Sequence, residues 1–320
     1  MTNVAEPLAT VCIATYNQAA YIEACVLSAL AQAGDLDVEI LVGDDNSTDD
    51  TPRILDRLEQ RFPGRLLRVS RPHNLGGTRN YQELVARAKG KFIAHLDGDD
   101  AWLPGKLRAQ VDFMHDHPEC PAVYTNAIAL DAGGRVLGPF TVGHPATMSL
   151  GYLATRGNFL MHSSILYRAA NRDVFLEPSG PVLDYAIHLG MALRGPLGFV
   201  DLHLATYTVG TSTSTVRNAY PMVARLIWSS LESTASRLSP SERRSCASHF
   251  AAEAFIGRLL AKTSVAPVGI AELAGFAGVS RLRLVLHALS AGVPIVARAG
   301  LRKVLRRAAL MGALAEHPRA

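Results

Sequence analysis

The first hundred residues alternate between short apolar runs of strand length and segments whose apolar residues recur with helical spacing. Such runs occupy residues 8–14, 38–43, 66–70 and 91–96, and a helical pattern follows each of the first three. Alternation of this kind favours βαβ units, which assemble into a parallel sheet with helices on both faces. We therefore predict an α/β fold for this part of the chain.

The pattern changes along the rest of the chain. We predict a helix over Pro104–His117, a strand over Ala122–Leu130 that ends in a hairpin turn, and an amphipathic helix over Asp184–Leu193. From Tyr220 onward the pattern is almost wholly helical, with a capping box at Ser239–Glu242. We place a boundary near Thr215, which gives an α/β domain over residues 1–215 and a helical region over residues 216–320.

Composition fits a globular protein and points away from several other classes. Apolar residues make up 48% of the chain and charged residues 19%, and the net charge of +4 is too small to indicate a nucleic-acid partner. The four cysteines lie far apart without a CxxC pair, so we expect reduced thiols. Residues 1–7 lack the basic start and apolar stretch of a signal peptide. We therefore expect a cytoplasmic protein.

Polar side chains stand at the carboxyl ends of three predicted strands. The first strand ends in Thr15–Asn17, the second in Asp44–Ser47 and the fourth in Asp97–Asp100. Ligands of open parallel α/β sheets bind outside the carboxyl ends of the strands. These segments, distant in sequence, should therefore meet in one cleft.

The segment Asp97-Gly98-Asp99-Asp100 places three carboxylates within four residues. Hard cations such as Mg²⁺ or Mn²⁺ bind carboxylate oxygens and complete their shell with phosphate oxygens and water. The alternative is a solvated acidic turn before the next helix, since aspartate is common in such turns. The position after an apolar strand and before Trp102-Leu103-Pro104 favours the metal site.

Asp44 and Asp45 end the second strand, where buried acids need partners. A carboxylate at this position could accept hydrogen bonds from a base or a ribose. Ser47 and Thr48 are explained by capping of the following helix alone. Capping does not explain the two acids, so we favour a binding role for them.

Three stretches together resemble a known family. The segments Val11–Gln18, Ile40–Thr51 and His73–Asp100, followed by Trp102-Leu103-Pro104, resemble the motifs of the inverting family 2 glycosyltransferases, which have the GT-A fold. The resemblance covers about the first 115 residues in order and spacing. It implies a Rossmann-like, mostly parallel sheet flanked by helices, to which this chain adds a helical C-terminal extension.

The resemblance also implies a role for each matching residue. It implies a nucleotide-diphosphate sugar as donor, with a UDP-sugar as the default, and Mn²⁺ or Mg²⁺ as the metal. Asp184, at the start of a later helix, matches the catalytic base of the family; a plain helix N-terminal carboxylate is the alternative. The implied binding residues are Ala14, Tyr16 and Asp45 for base and ribose, Arg79 near the donor, Asp97 for ribose or sugar, and Asp99 with its neighbour Asp100 for the metal.

The chain departs from the family pattern after its last strand. Many members carry basic residues there that reach the diphosphate, whereas this chain has Tyr207-Thr208-Val209-Gly210 and then a run of hydroxyl residues. Arg217 could supply the charge from a shifted position. How the diphosphate is held is therefore left open by the sequence.

Two features outside these motifs have open interpretations. His95 and His162 lack a second histidine at zinc-ligand spacing, so we favour core positions or positions that support the site. Residues 281–320 hold eight Lys or Arg and a single acid. They form either the solvated face of a terminal helix or a peripheral contact with the inner face of a membrane.

We therefore predict transfer of a sugar to a hydroxyl of a carbohydrate or lipid-linked acceptor, in polysaccharide or glycoconjugate biosynthesis. One alternative is a nucleotidyltransferase, which would carry a Gly-rich basic loop where Tyr16–Ala20 stand. The other is a non-catalytic sugar-nucleotide binding module, which would not need Asp184.

Overall fold

The computed structural model describes residues 6–34, 36–131, 133–180, 182–208, 220–261 and 268–290. The strands, in chain order, are β1 (Ala9–Thr15), β2 (Val38–Asp44), β3 (Leu67–Ser70), β4 (Phe92–Asp97), β5 (Ala101–Trp102), β6 (Ala122–Leu130), β7 (Val136–Pro139), β8 (Thr147–Met148), β9 (Leu166–Arg168) and β10 (Leu197–Thr208). The helices are α1 (Ile22–Leu30), α2 (Thr51–Arg61), α3 (Gly77–Arg87), α4 (Lys106–Asp116), α5 (Leu150–Arg156), α6 (Asp173–Leu176), α7 (Asp184–Ala192), α8 (Tyr220–Glu232), α9 (Pro240–Ala261), α10 (Ile270–Ala277) and α11 (281–290).

The strands form one mixed sheet in the order β3-β2-β1-β4-β9-β6-β10-β5, with β7 beside β6 and β8 beside β10. The pairs among β3, β2, β1 and β4 are parallel, as predicted for the first hundred residues. The short β9 lies antiparallel between β4 and β6, and it was not predicted because three residues carry too little periodicity. The α/β fold predicted from the sequence is confirmed.

Apolar cores lie on both faces of the sheet, because successive strand residues point to opposite sides. In β1, Val11 and Ile13 face α1, α2 and α4, whereas Cys12 faces α3 and the later helices. All four cysteines are buried free thiols. Burial on both faces explains why β1 reads as a continuous apolar run.

The helices after residue 220 pack on the same core as α3 and α7. Trp228 of α8 and Phe250 of α9 belong to the apolar cluster that contains Cys12 and Leu84. The predicted capping box is present, since Ser239 N donates to Glu242 Oε2 at 2.8 Å and Glu242 N donates to Ser239 Oγ at 3.3 Å. The predicted boundary near Thr215 lies outside the described residues.

Within the described ranges, no helix combines the length and the apolar character that crossing a bilayer requires.

Candidate active site

The carboxyl ends of β1, β2 and β4 lie side by side at one edge of the sheet. Ala14 is in register with Gly43 on one side and with Asp97 on the other. Just beyond the strands, Asp45 N donates to Thr15 O at 3.0 Å and Gly98 N donates to Ala14 O at 2.9 Å. The polar segments of the three strands therefore converge, as the sequence predicts.

Left-handed backbone conformations mark the two turns that leave β1 and β2. Asn17 has φ of 53° and Asn46 has φ of 62°, and asparagine tolerates this region better than most residues. The turns are joined, because Asn17 N donates to Ser47 Oγ at 2.9 Å and Thr48 N donates to Asn17 Oδ1 at 2.7 Å. These hydrogen bonds join the two turns. Tyr16 is exposed beside them, and Ala14 is half-buried.

Asp45 is only 2% exposed, and both of its carboxylate oxygens accept backbone hydrogen bonds. Oδ1 accepts from Leu75 N at 2.7 Å, and Oδ2 accepts from Gly76 N at 2.8 Å. Asp44 Oδ1 accepts from Ser47 N at 3.1 Å. The partners that these buried acids need are thus backbone amides. Asp45 anchors the loop before α3, and its contact with a base or ribose stays a prediction.

Arg79 lies in the first turn of α3, directly after the loop that Asp45 anchors. Its side chain is exposed and has no ion-pair partner among the described residues. The free amides of a helix N-terminus favour anions at the same place. An exposed cation and these amides suit the phosphates of a donor.

The acids after β4 differ in exposure and in hydrogen bonding. The Asp97 side chain is 44% exposed, and its Oδ1 lies 3.0 Å from His95 Nε2. Asp99 is half-buried, whereas Asp100 is buried. Ser163 Oγ lies 2.9 Å from Asp97 Oδ2 and 2.6 Å from Asp100 Oδ2, so one hydroxyl joins two of the three acids.

These contacts separate the pKa values of the three acids. Burial, and then the charge of Asp97, raise the pKa of Asp99 to about 6. The same two causes raise the pKa of Asp100 well above its ordinary value. Burial acts to raise the pKa of Asp97 as well, but His95 and Ser163 stabilise its charged form and the pKa falls below its ordinary value. The three acids of this cluster therefore differ in how readily each binds a proton.

The acids that end and follow β4 offer carboxylate oxygens to a cation. Among the described residues, no group of three or more His, Cys, Asp or Glu side chains is arranged to hold a metal ion. Mg²⁺ commonly uses one or two carboxylates and takes its other ligands from water and substrate phosphates. Asp99 is more open to such an ion than Asp100, which is buried against Ser163; metal binding by either stays a prediction.

Asp184 begins α7, as predicted, and its side chain is exposed. Its charge acts on Tyr207 at the end of β10: burial, and then the charges of Asp100, Asp184, Asp99 and Asp97, raise the pKa of Tyr207. The side chain of Tyr207 is therefore within electrostatic reach of all four acids. The proposed base and the acidic cluster therefore both act electrostatically on the end of β10.

A row of three histidines connects β4 with α7, and the sequence indicated only two of them. The rings of His95 and His162 have centroids 4.4 Å apart, and His162 Nδ1 lies 3.2 Å from His188 Nε2. His188 is fully buried one helical turn after Asp184. No local pattern in the sequence identified the third member, because His188 meets His162 only in the folded chain.

Two parts of the predicted site lie outside the described residues. Tyr207 and Thr208 end β10, but Gly210, the hydroxyl run that follows it and Arg217 fall within 209–219.

Known proteins share both the sequence pattern and this fold. Residues 10–168 match the profile of glycosyl transferase family 2. The chain is 28% identical over 195 residues to an uncharacterised protein of Mycobacterium tuberculosis, covering 60% of this chain and 56% of the relative. The chain thus spans little more than half of that relative.

An enzyme and a solved structure extend the comparison. The Escherichia coli UDP-Glc:alpha-D-GlcNAc-diphosphoundecaprenol beta-1,3-glucosyltransferase WfaP is 30% identical over 190 residues, 59% of this chain and 71% of the relative. The structure of Staphylococcus aureus TarS 1–349 with UDP-GlcNAc superposes with a TM-score of 0.62 at 20% identity, covering 93% of this chain and 89% of the other. Family profile, relative and fold agree, and the chain belongs to glycosyltransferase family 2.

Proposed function

We propose that this chain transfers a sugar from a nucleotide-diphosphate donor to a hydroxyl of an acceptor, with inversion at the anomeric carbon. The observation that carries the proposal is that Asp97, Asp99, Asp100 and Asp184 all lie within electrostatic reach of Tyr207. Three of these acids end or follow β4, and the fourth begins α7. Such a grouping suits a donor phosphate site next to a base for the acceptor.

The donor nucleoside is proposed to lie against the turns after β1 and β2, which are joined by hydrogen bonds. Ala14, Tyr16 and the loop anchored by Asp45 would contact the base and ribose, and Arg79 would contact the donor's phosphates. Uridine is the base that we propose first, supported by WfaP, whose name specifies UDP-Glc. Asp97, ionised beside His95, would accept hydrogen bonds from the ribose or the sugar.

A divalent cation, Mn²⁺ or Mg²⁺, fits the chemistry of the acids after β4. Asp99 would hold it, with Asp100 beside it, because burial and then the charge of Asp97 raise the pKa of Asp99, and a cation would offset both effects. The metal would supply charge stabilisation to the departing diphosphate. We expect water and donor phosphates to complete its shell.

Asp184 is proposed as the general base. Its exposed carboxylate would accept the proton of the acceptor hydroxyl while that oxygen bonds to the anomeric carbon. The bond from the anomeric carbon to the phosphate oxygen breaks in the same step, and the nucleoside diphosphate leaves with the electron pair. General-base assistance of this kind typically contributes about 10²–10⁴-fold to the rate.

The acceptor is proposed to be a carbohydrate or a lipid-linked saccharide, in polysaccharide or glycoconjugate synthesis. The name of WfaP, which specifies a diphosphoundecaprenol-linked saccharide, supports the lipid-linked class. A lipid-linked acceptor would place the enzyme peripherally at the cytoplasmic face of a membrane. The basic residues of 281–320 would support that location, although 291–320 lie outside the described residues.

Thermal unfolding with nucleoside diphosphates, with and without Mn²⁺, tests donor binding. We expect UDP with Mn²⁺ to raise the Tm, since a ligand at a hundred times its Kd contributes about 2.7 kcal/mol to stability. Asp99→Asn should lose the metal-dependent part of the increase. Glu23→Gln, which changes an exposed acid in the first turn of α1, should retain it.

Product analysis separates the enzyme classes. Slow metal-dependent release of UDP from a UDP-sugar without acceptor supports the transferase. Pyrophosphate release from UTP and a sugar phosphate would instead identify a nucleotidyltransferase. A binding module would bind the donor but release no product, whether or not an acceptor is present.

A further inference from the structure

Helix α11 exposes an apolar stripe along its whole described length. Leu282, Val285, Leu286 and Leu289 are between 41% and 71% exposed. Their spacing of i, i+3, i+4 and i+7 places them on one face of the helix. Leu284, which is 1% exposed, joins the core from the opposite face. The helix is therefore attached through its other side, and no residue within the described ranges covers the stripe.

Basic residues flank this stripe on both sides. At 100° per residue, Arg281 and Arg283 lie on opposite edges of the apolar face, and both are exposed. Neither forms an ion pair with any residue that the structure describes. Long basic side chains beside an apolar face can extend to anionic headgroups while their stems cover apolar surface.

The sequence around the stripe has a single sign of charge. No Asp or Glu occurs from residue 273 to residue 315, whereas the same stretch holds seven Lys or Arg. A second copy of this surface would bring like charges together, and an anionic surface would meet opposite ones. Charge complementarity therefore favours an anionic lipid surface as the occupant.

We propose that α11 lies on an anionic membrane surface, with Leu282, Val285, Leu286 and Leu289 in the boundary between headgroups and acyl chains. The proposal rests on the membrane location proposed above and identifies the surface responsible for it. Amphipathic helices of this kind bind through buried apolar area together with attraction to anionic lipids. The proposed contact is thus made by a helix that the structure describes, and it does not depend on residues 291–320 alone.

Co-sedimentation of the full chain with vesicles tests the proposal. We expect binding to equimolar phosphatidylcholine and phosphatidylglycerol, little binding to phosphatidylcholine alone, and weaker binding as salt increases. Replacing Leu282, Leu286 and Leu289 together with serine should reduce the partition coefficient about tenfold or more, because apolar burial contributes much of the affinity. Leu67→Ser, at a 50% exposed leucine on the edge strand β3, is the matched control and should bind like the wild type.

A second variant separates the charge from the apolar stripe. Arg281→Glu with Arg283→Glu should lower binding to the mixed vesicles and leave the weak binding to phosphatidylcholine unchanged. Both variants should keep the Tm increase caused by UDP and Mn²⁺, which establishes that they are folded. That increase also tests donor binding separately, so loss of vesicle binding and failure of the proposed function are distinguishable.

Three results would overturn the proposal. The first is wild-type binding that does not prefer anionic vesicles. The second is binding by the triple serine variant equal to that of the wild type. The third is a stable wild-type dimer, measured by light scattering, that the serine substitutions convert to a monomer. The last result would assign the stripe to contact between two copies of the chain.

Discussion

At the scale of single residues, the hydroxyl of Ser163 joins two acids that would otherwise repel each other. It lies within hydrogen-bond distance of Asp97 Oδ2 and Asp100 Oδ2, and it also accepts from Asp97 N at 3.2 Å. Ser163 follows the row histidine His162 directly in sequence. The acidic cluster therefore depends on a residue that is 66 positions away from Asp97 along the chain.

Ser163→Ala should weaken the acidic cluster without removing any acid. The substitution leaves a buried Asp100 oxygen without its partner, so we expect the free energy of unfolding to fall by about 1–3 kcal/mol. The Tm increase caused by UDP with Mn²⁺ should also become smaller. Chemical denaturation and thermal unfolding measure the two effects. Ser230→Ala is the control, because that hydroxyl donates only to the Leu226 carbonyl of its own helix; equal effects of the two substitutions would contradict this role.

Asp184→Asn should separate donor binding from transfer. The amide keeps the shape of the side chain but cannot accept the acceptor's proton, so we expect transfer to fall by about 10²–10⁴-fold. The Tm increase with UDP and Mn²⁺ should be unchanged. Glu23→Gln, an exposed helix N-terminal acid far from α7 in sequence, should transfer like the wild type. An Asp184→Asn enzyme with full transfer activity would remove Asp184 as the base.

At the scale of elements, the site depends on how closely the turns after β1 and β4 approach each other. A Cβ at Gly98 would collide with Gln18 Oε1 and lie 2.8 Å from Thr15 Oγ1. Thr15 Oγ1 and Gln18 Oε1 are themselves 2.8 Å apart, and the Gln18 side chain lies close enough to Asp99 to stabilise its charged form. Because residue 98 is a glycine, the turns after β1 and β4 can approach each other closely enough for Gln18 to lie beside Asp99.

Gly98→Ala should therefore displace Gln18 and disturb Asp99. We expect the free energy of unfolding to fall by about 1–3 kcal/mol, as for other overpacked sites, together with weaker metal-dependent UDP binding. Gly275→Ala in α10 is the matched control, since a Cβ there meets nothing within 4 Å. A helix-interior alanine of this kind should increase stability by about 0.5–1 kcal/mol. Denaturation with and without UDP measures both, and unchanged UDP binding by Gly98→Ala would contradict the close-approach argument.

At the scale of the whole molecule, the histidine row sits between the sheet and α7, and it links stability to pH. Burial, and then the charges of His162 and His95, lower the pKa of His188 well below its ordinary value. Below about pH 6.5 the unfolded chain binds a proton at this position that the native protein does not bind. The free energy of unfolding should therefore fall as the pH falls, by up to about 1.4 kcal/mol for each pH unit.

His188→Gln should reduce this loss of stability between pH 7 and the onset of acid unfolding. Asp99 acts in the opposite direction, because its pKa is raised to about 6 and the native protein binds the extra proton there. The difference in the pH dependence of stability between wild type and variant gives the contribution of His188. Urea midpoints at several pH values measure that dependence. His115→Gln, at an exposed side chain on α4, should keep the wild-type slope. A His188→Gln slope equal to the wild type would contradict the prediction.

The sequence by itself determined the α/β fold, the positions of β1 to β4 with the helices between them, and the meeting of three strand ends. These follow from local rules, since period-2 and period-3.6 patterns identify elements and parallel strands bring their carboxyl ends to one edge. The bounds predicted for the strand over Ala122–Leu130 agree with those observed. Family membership followed from the motifs at the same edge, and the profile match over residues 10–168 confirms it.

Only the tertiary structure decided which partners each side chain has. Three sets of contacts could not be predicted from the sequence. The backbone amides of Leu75 and Gly76 donate to Asp45, the Ser163 hydroxyl lies between two acids, and His188 lies against His162. Each contact joins residues 26 or more positions apart. Such pairs depend on how strands and helices pack in three dimensions, which no periodicity within one segment encodes. For the same reason, only the structure identifies the exposed face of α11. Leu284 packs into the core, and the opposite face of the helix is exposed.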